Sequence, residues 1–140
     1  MSTKPRDVAE ISIDGASLGN PGPAGIGVVF HDGKGGIARQ LSKYVGETTN
    51  NVAEYLALVY AVEEAQACGL MRLRVKTDSE LLARQITGSY RVRDATLRLL
   101  HDLALHMMRR FERCEIHHVP RELNHQADRL AGRAAKSRAL

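Results

Sequence analysis

Four acids in this sequence occupy positions from which they could act together: Asp14 in "IDGASLGNPGPAG", Glu54 in "TTNNVAEYLAL", Asp78 in "VKTDSELL" and Asp128 in "NHQADRLA". Each alone has a plainer reading. Asp14 is a turn former, Glu54 a favourable charge in the first turn of a helix, and Asp78 a cap ahead of Ser79. Asp128 adjoins an apolar helix face, where an acid is costly unless it is paired or metal-bound. Together they fall at convergent places in the element order derived below. A cluster of carboxylates holds its protons unless cations sit between them. Oxygen donors with waters completing the shell suit Mg²⁺ or Mn²⁺. Two such ions about 3.5–4 Å apart form the clamp used for in-line phosphoryl displacement. The chemistry these residues suggest is metal-dependent phosphoryl transfer on a nucleic acid.

The elements that must position the acids follow from the periodicity. Val8–Asp14 alternates loosely and reads as a strand that ends on the first acid. Gly25–His31 gives a second strand, closed by the turn "DGKGG", and Ile37–Val45 pairs back on it as a hairpin. The period then becomes helical from Asn51 to Cys68, through Val52, Ala53, Leu56, Val59, Tyr60 and Ala67, with Gly69 as the stop. Arg72–Asp78 is a fourth strand. Ser79 caps a short helix closed by Gly88, and Asp94 caps a longer one with Leu97, Leu100, Leu103 and Met107 on its inner face. "CEIHHVP" is a fifth strand, and a last helix presents Leu123, Ala127, Leu130, Ala131 and Ala134. The order is β-β-β-α-β-α-α-β-α, an α/β fold whose mixed five-stranded sheet is flanked by helices. In such sheets, sites collect at the carboxyl ends of parallel strands, where the first and fourth strands each deliver an acid.

A chain of 140 residues, 44% hydrophobic and 26% charged, can bury a core without disulfides or a structural metal. We expect one domain over 1–140, with 1–7 and 136–140 as frayed tails. Cys68 and Cys114 lack metal-type spacing and read as reduced thiols. No leader or bilayer-length apolar run is visible, so the expectation is a cytoplasmic protein without a membrane partner. A net charge of +4 agrees with a polyanionic partner, and the absence of Trp disfavours a single-strand binder that works by base stacking.

At this point the chain resembles the type 1 ribonuclease H family, in its compact archaeal and bacterial branch. The resemblance rests on "IDGASLGNPGPAGIGVVF", "TTNNVAEYLALVYAV", "VKTDSELLARQITGSYRVRD" and "VPRELNHQADRLA", in this order and spacing. It implies a ribonuclease H-like fold and hydrolysis of the RNA strand of RNA–DNA hybrids, leaving 5′-phosphate and 3′-hydroxyl ends. By motif match, Asp14, Glu54, Asp78 and Asp128 become the catalytic carboxylates that bind two Mg²⁺ or Mn²⁺ ions. Asn50 and Asn51 match positions that contact substrate, and Thr49 is similar to one that holds a DNA phosphate. Gly15, Gly19 and Gly22 would let the main chain approach the sugar-phosphate backbone, with Ser17, Asn20 and Ser79 as further substrate contacts. The plainer reading of "TTNN" is helix capping, but four polar residues exceed what a cap needs.

Two departures from the family pattern bear on mechanism. The basic, Trp-containing handle is missing, since "GSYRVRDATL" is short, and hybrid affinity then falls to Lys76, Arg84, Arg91 and Arg93. The loop that carries a mobile His before the last acid is also missing, which leaves the proton shuttle to His125 or Arg121. His117 and His118 alternate on a strand, so at most one faces the metals. A non-catalytic module that binds hybrids or double-stranded RNA is the alternative reading, as is a related nuclease that also cuts double-stranded RNA. Retention of all four acids favours the enzyme, and we expect a monomer.

Overall fold

The computed structural model describes residues 7–139. Five strands form one sheet in the order β3-β2-β1-β4-β5. β1 (Val8–Ser17), β2 (Gly22–His31) and β3 (Ile37–Thr48) are an antiparallel meander, while β4 (Arg72–Thr77) and β5 (Arg113–His118) run parallel to β1. The helices are α1 (Asn50–Ala67), α2 (Glu80–Ile86), α3 (Ala95–Met108) and α4 (His125–Ser137), the last preceded by a 3₁₀ turn at Arg121–Leu123. This is the expected order. None of these helices is long and apolar enough to cross a membrane.

Strand alternation divides the sheet into two layers. Ile11 and Ile13 of β1, Ile26 and Val28 of β2, and Val75 of β4 are fully buried in the core that α1, α2 and α3 cover. The alternate residues of β2, with Val29 at 0% exposure, meet Ala127 and Leu130 of α4 on the opposite face. Tyr55 of α1 donates its hydroxyl to Gln85 Oε1 of α2 at 2.6 Å, which satisfies both polar groups inside the core. Thr49, Ser79 and Asp94 accept from the main-chain N–H three residues on and cap α1, α2 and α3.

Several expectations need correction. β1 runs three residues past Asp14, because its partner β2 begins at Gly22 and pairs Gly15, Ala16 and Ser17 with Ile26, Gly25 and Ala24. The face of α1 is turned by about one position, with Ala57, Leu58, Ala61, Val62 and Ala65 lying deepest while Ala67 is exposed. On α3, Leu103 is 44% exposed, and Ala104 and Met108 are buried in its place. Leu123 precedes α4 and is 71% exposed instead of lining its inner face. Lys136 and Ser137 belong to α4 instead of a frayed tail, while residues 1–6 and 140 lie outside the described residues.

Candidate metal centre

The site forms where β1 and β4 run side by side. Ile13 pairs with Thr77, so Asp14 on β1 and Asp78, the residue just past β4, follow side by side. Gly15 brings α1 against the same place. A Cβ there would collide with the main chain of Ala53 and Glu54, so the absence of a side chain lets the helix touch the strand. The Gly15 N–H then donates to Glu54 Oε1. Glu54 lies beyond the first turn of α1 and is 8% exposed, which removes the helix-dipole reading. One carboxylate oxygen from each of Asp14, Glu54 and Asp78 lies within 4.8 Å of the others.

Asp128 arrives from the other face. Asp14 pairs across the sheet with Gly27, and a Cβ on Gly27 would run into the Ala127 carbonyl. The glycine therefore seats the first turn of α4 directly over Asp14. Asp128 is within hydrogen-bonding reach of Asp14 and adds to the charge that surrounds it. It is more open than Asp14 and Glu54, with 37% of its side chain exposed.

Electrostatics follow from that packing. Burial pushes the Asp14 carboxyl well above the usual range, and the nearby charges of Glu54, Asp78 and Asp128 push it further. Glu54 is also raised, mainly by burial, against the opposing pull of the Gly15 N–H. Without a cation, such a cluster keeps protons near neutral pH. A divalent ion with hard oxygen preferences fits this donor set, because every inward group is a carboxylate oxygen.

The remaining predicted residues divide. Thr49 and Ser79 have their side-chain oxygens engaged as helix caps, at 3.2 Å from the Val52 nitrogen and 3.1 Å from that of Leu82. Asn50 joins the start of α1 to the β1–β2 turn. Its Oδ1 accepts from the Ser17 N–H at 2.9 Å, and its own N–H donates to Asn20 Oδ1 at 3.0 Å. Asn20, Asn50 and Asn51 are exposed beside the acids. Contrary to the expected approach to substrate, Gly15 is packed against α1, and a Cβ at Gly22 would strike the Leu18 carbonyl. Both glycines serve internal fit.

Arg121 donates to Asp128 Oδ1 at 3.4 Å. His125 is exposed at the start of α4. His117 is drawn to Glu115 at 3.0 Å. Lys76 and Arg84 are paired with Glu10 and Glu80, both at 3.3 Å, whereas Arg91 and Arg93 line a crevice of about 720 Å³ together with Arg98 and Tyr90. Sequence reasoning missed Asn124, which is 2% exposed and donates to the Ile13 carbonyl. The available signal was an Asn opening a helix one turn ahead of an acid.

Over residues 12–134 the chain matches the family described as "Reverse transcriptase-like". It is 42% identical over 121 residues to the Ribonuclease HI of Halobacterium salinarum, covering 86% of this chain and 61% of that one. The crystal structure of RNase H1 from Halobacterium salinarum NRC-1 superposes with a TM-score of 0.90 at 39% identity, covering 94% of this chain and 99% of that chain. The structure of LC11-RNase H1 in complex with an RNA/DNA hybrid gives 0.87 at 44% identity, covering 92% and 97%. The chain thus spans about three fifths of the Halobacterium relative's full length, and 34% of a mycobacterial one.

Proposed function

This chain belongs to the type 1 ribonuclease H family, and from that premise we propose that it is a metal-dependent endoribonuclease that hydrolyses the RNA strand of RNA–DNA hybrids. The observation that carries the reading is the mutual approach of Asp14, Glu54 and Asp78 within 4.8 Å, with Asp128 against Asp14. Asp14, Glu54, Asp78 and Asp128 would hold two Mg²⁺ or Mn²⁺ ions, which when bound supply Lewis acidity to the attacking water and to the leaving oxygen. Water attacks the phosphorus and the P–O3′ bond breaks, so the products carry 5′-phosphate and 3′-hydroxyl ends. The chain acts as a monomer in the cytoplasm, as one domain over 1–140.

The protein's own groups bind and orient the duplex. Ser17, Asn20, Asn50 and Asn51 form a polar rim beside the acids, suited to the 2′-hydroxyls that distinguish an RNA strand. Gly15, Thr49 and Ser79 hold that rim in place through the strand–helix contact and the two caps. Arg91 and Arg93 supply phosphate affinity in place of a handle, while Lys76 and Arg84 contribute less because each is committed to an acid. Arg121 is favoured over His125 as the group that meets the phosphate or product, since it reaches Asp128.

The test is a strand-labelled cleavage assay with Mg²⁺ and Mn²⁺ on hybrid, double-stranded RNA and double-stranded DNA. We expect the RNA of the hybrid to be cut, and Asp78→Asn to abolish cutting while the protein stays folded. A wild-type protein that binds hybrid without cutting it would establish the non-catalytic alternative. Cleavage of double-stranded RNA at a similar rate would widen the substrate class.

A further inference from the structure

Asn124 is more deeply buried than any of the four acids, and it touches the segments that carry two of them. Its Nδ2–H donates to the carbonyl of Ile13, the residue before Asp14, at 2.8 Å. Its main-chain carbonyl accepts from the Asp128 N–H at 3.1 Å, and its N–H donates to the Arg121 carbonyl at 2.9 Å. Its Oδ1 is buried and meets no donor among the described residues.

That oxygen gains no protein hydrogen bond for the fold, whereas the amide nitrogen reaches across to β1. Nor does Asn124 cap its own helix, for its side chain makes no bond to the first turn of α4. What the residue achieves is a cross-link. The Ile13 peptide and the α4 turn belong to segments 111 positions apart in the chain, and one side-chain bond ties them where Asp14 and Asp128 face each other.

We propose that Asn124 is a positioning residue for the carboxylate cluster, fixing Asp128 against Asp14 and so setting how tightly the site holds divalent cations; this rests on the functional reading above. Asn124 is buried and its side chain bonds Ile13 and not Ser17, Asn20 or Asn50, which bond one another, so its effect falls on cation affinity and turnover, leaving hybrid binding unchanged. Groups that orient metal ligands typically change affinity or activity by about 10–100-fold when removed.

Two variants separate placement from folding. Asn124→Leu fills the space and removes the unpartnered oxygen, and Asn124→Ala removes the side chain. Mn²⁺ binding is measured by titration calorimetry on protein without nucleic acid, alongside thermal melting, kcat and KM. We expect Asn124→Leu to stay folded but melt below the wild type, because the Ile13 carbonyl loses a donor, and to bind Mn²⁺ about 10–100-fold more weakly, with kcat lowered at fixed metal and KM for hybrid unchanged. Folded variants with wild-type Mn²⁺ affinity and kcat would overturn the proposal. Should neither variant fold, Mg²⁺ titration of ¹⁵N-labelled wild-type protein decides it. A shift of the Asn124 side-chain amide resonance supports the proposal, and an unmoved resonance overturns it. Failure of the wild type to cut hybrid while binding Mn²⁺ would refute the enzymatic reading alone.

Discussion

Arg121 lies seven residues before Asp128 and His125 three before it, and they differ in what holds them. The Arg121 guanidinium meets Asp128 at 3.4 Å with 76% of its side chain exposed. An ion pair this open contributes at most about 1 kcal/mol to stability, so its use lies elsewhere. It keeps a permanent cation beside an acid more open than Asp14 or Glu54, and on the proposed function it would turn toward a phosphate. Arg121→Ala should lower kcat on the order of 10² with little change in melting temperature. Arg121→Lys should recover part of the loss, since Lys keeps the charge without the planar fork. His125→Ala should leave steady-state rates within about twofold, as expected of an exposed histidine with no fixed tie to the acids. A larger loss at His125 than at Arg121 in the same assay would move the shuttle to the imidazole.

Among the elements, α4 shows how small side chains set a catalytic distance. Its inner face is Ala127, Leu130, Ala131, Ala134 and Ala135, small but for the one leucine, and it lies on Gly25 and Gly27 of β2. At Gly27 an added Cβ would meet the Ala127 carbonyl, main chain that cannot rotate away, so the helix itself has to move. Gly27→Ala should therefore destabilise the fold by about 1–3 kcal/mol and lower cleavage below what the unfolded fraction accounts for, because Asp128 shifts with the helix. Melting curves and kcat at a temperature where the variant is fully folded check this. The same element marks the limit of sequence reading. The period of α4 and its acid were legible, since alanines at helical spacing need only local pattern. That glycines on β2 receive those alanines was not, because the pairing joins segments about a hundred residues apart. Asp14 and Asp78 were legible for the opposite reason, as each lies in or just after a strand whose direction the element order fixes. Glu54 was placed on the correct helix and among the metal-binding acids, with a first-turn charge on the helix dipole as its plainer reading. Its burial depends on Gly15, whose role is a contact between elements and leaves no local trace. Thr49 and Ser79 read equally well as caps or ligands, and only their bonds to Val52 and Leu82 separate the two.

At the scale of the whole molecule, the buried acids couple folding to protons and to cations. Asp14 and Glu54 have folded-state values raised above those of the unfolded chain, with burial the largest cause for each. Below about pH 4 both states are protonated and the acids cost nothing. As pH rises past that point the unfolded chain releases these protons while the metal-free fold retains them, so the folded state binds more protons and stability falls with pH. Glu10 acts in the opposite sense. Held low by Arg74 and Lys76, it lends stability above about pH 4 that is lost in acid. By these effects the metal-free protein should be most stable in acid, at about pH 4–5, and weaken toward pH 8. On the proposed function, a divalent cation held by the ionised cluster would displace its protons and stabilise the fold by mass action. The gain in melting temperature from saturating Mn²⁺ should grow steadily from pH 5.5 to pH 8, and calorimetry in buffers of different ionisation enthalpy should register proton release on binding. Asp14→Asn separates the two effects. It should raise the melting temperature of the metal-free protein at pH 8, flatten its decline with pH, and remove most of the Mn²⁺ gain along with cleavage. A metal-free wild type whose melting temperature is the same at pH 5.5 and pH 8, with an equal Mn²⁺ gain at both, would mean that Asp14 and Glu54 are already ionised and that burial does not store their protons.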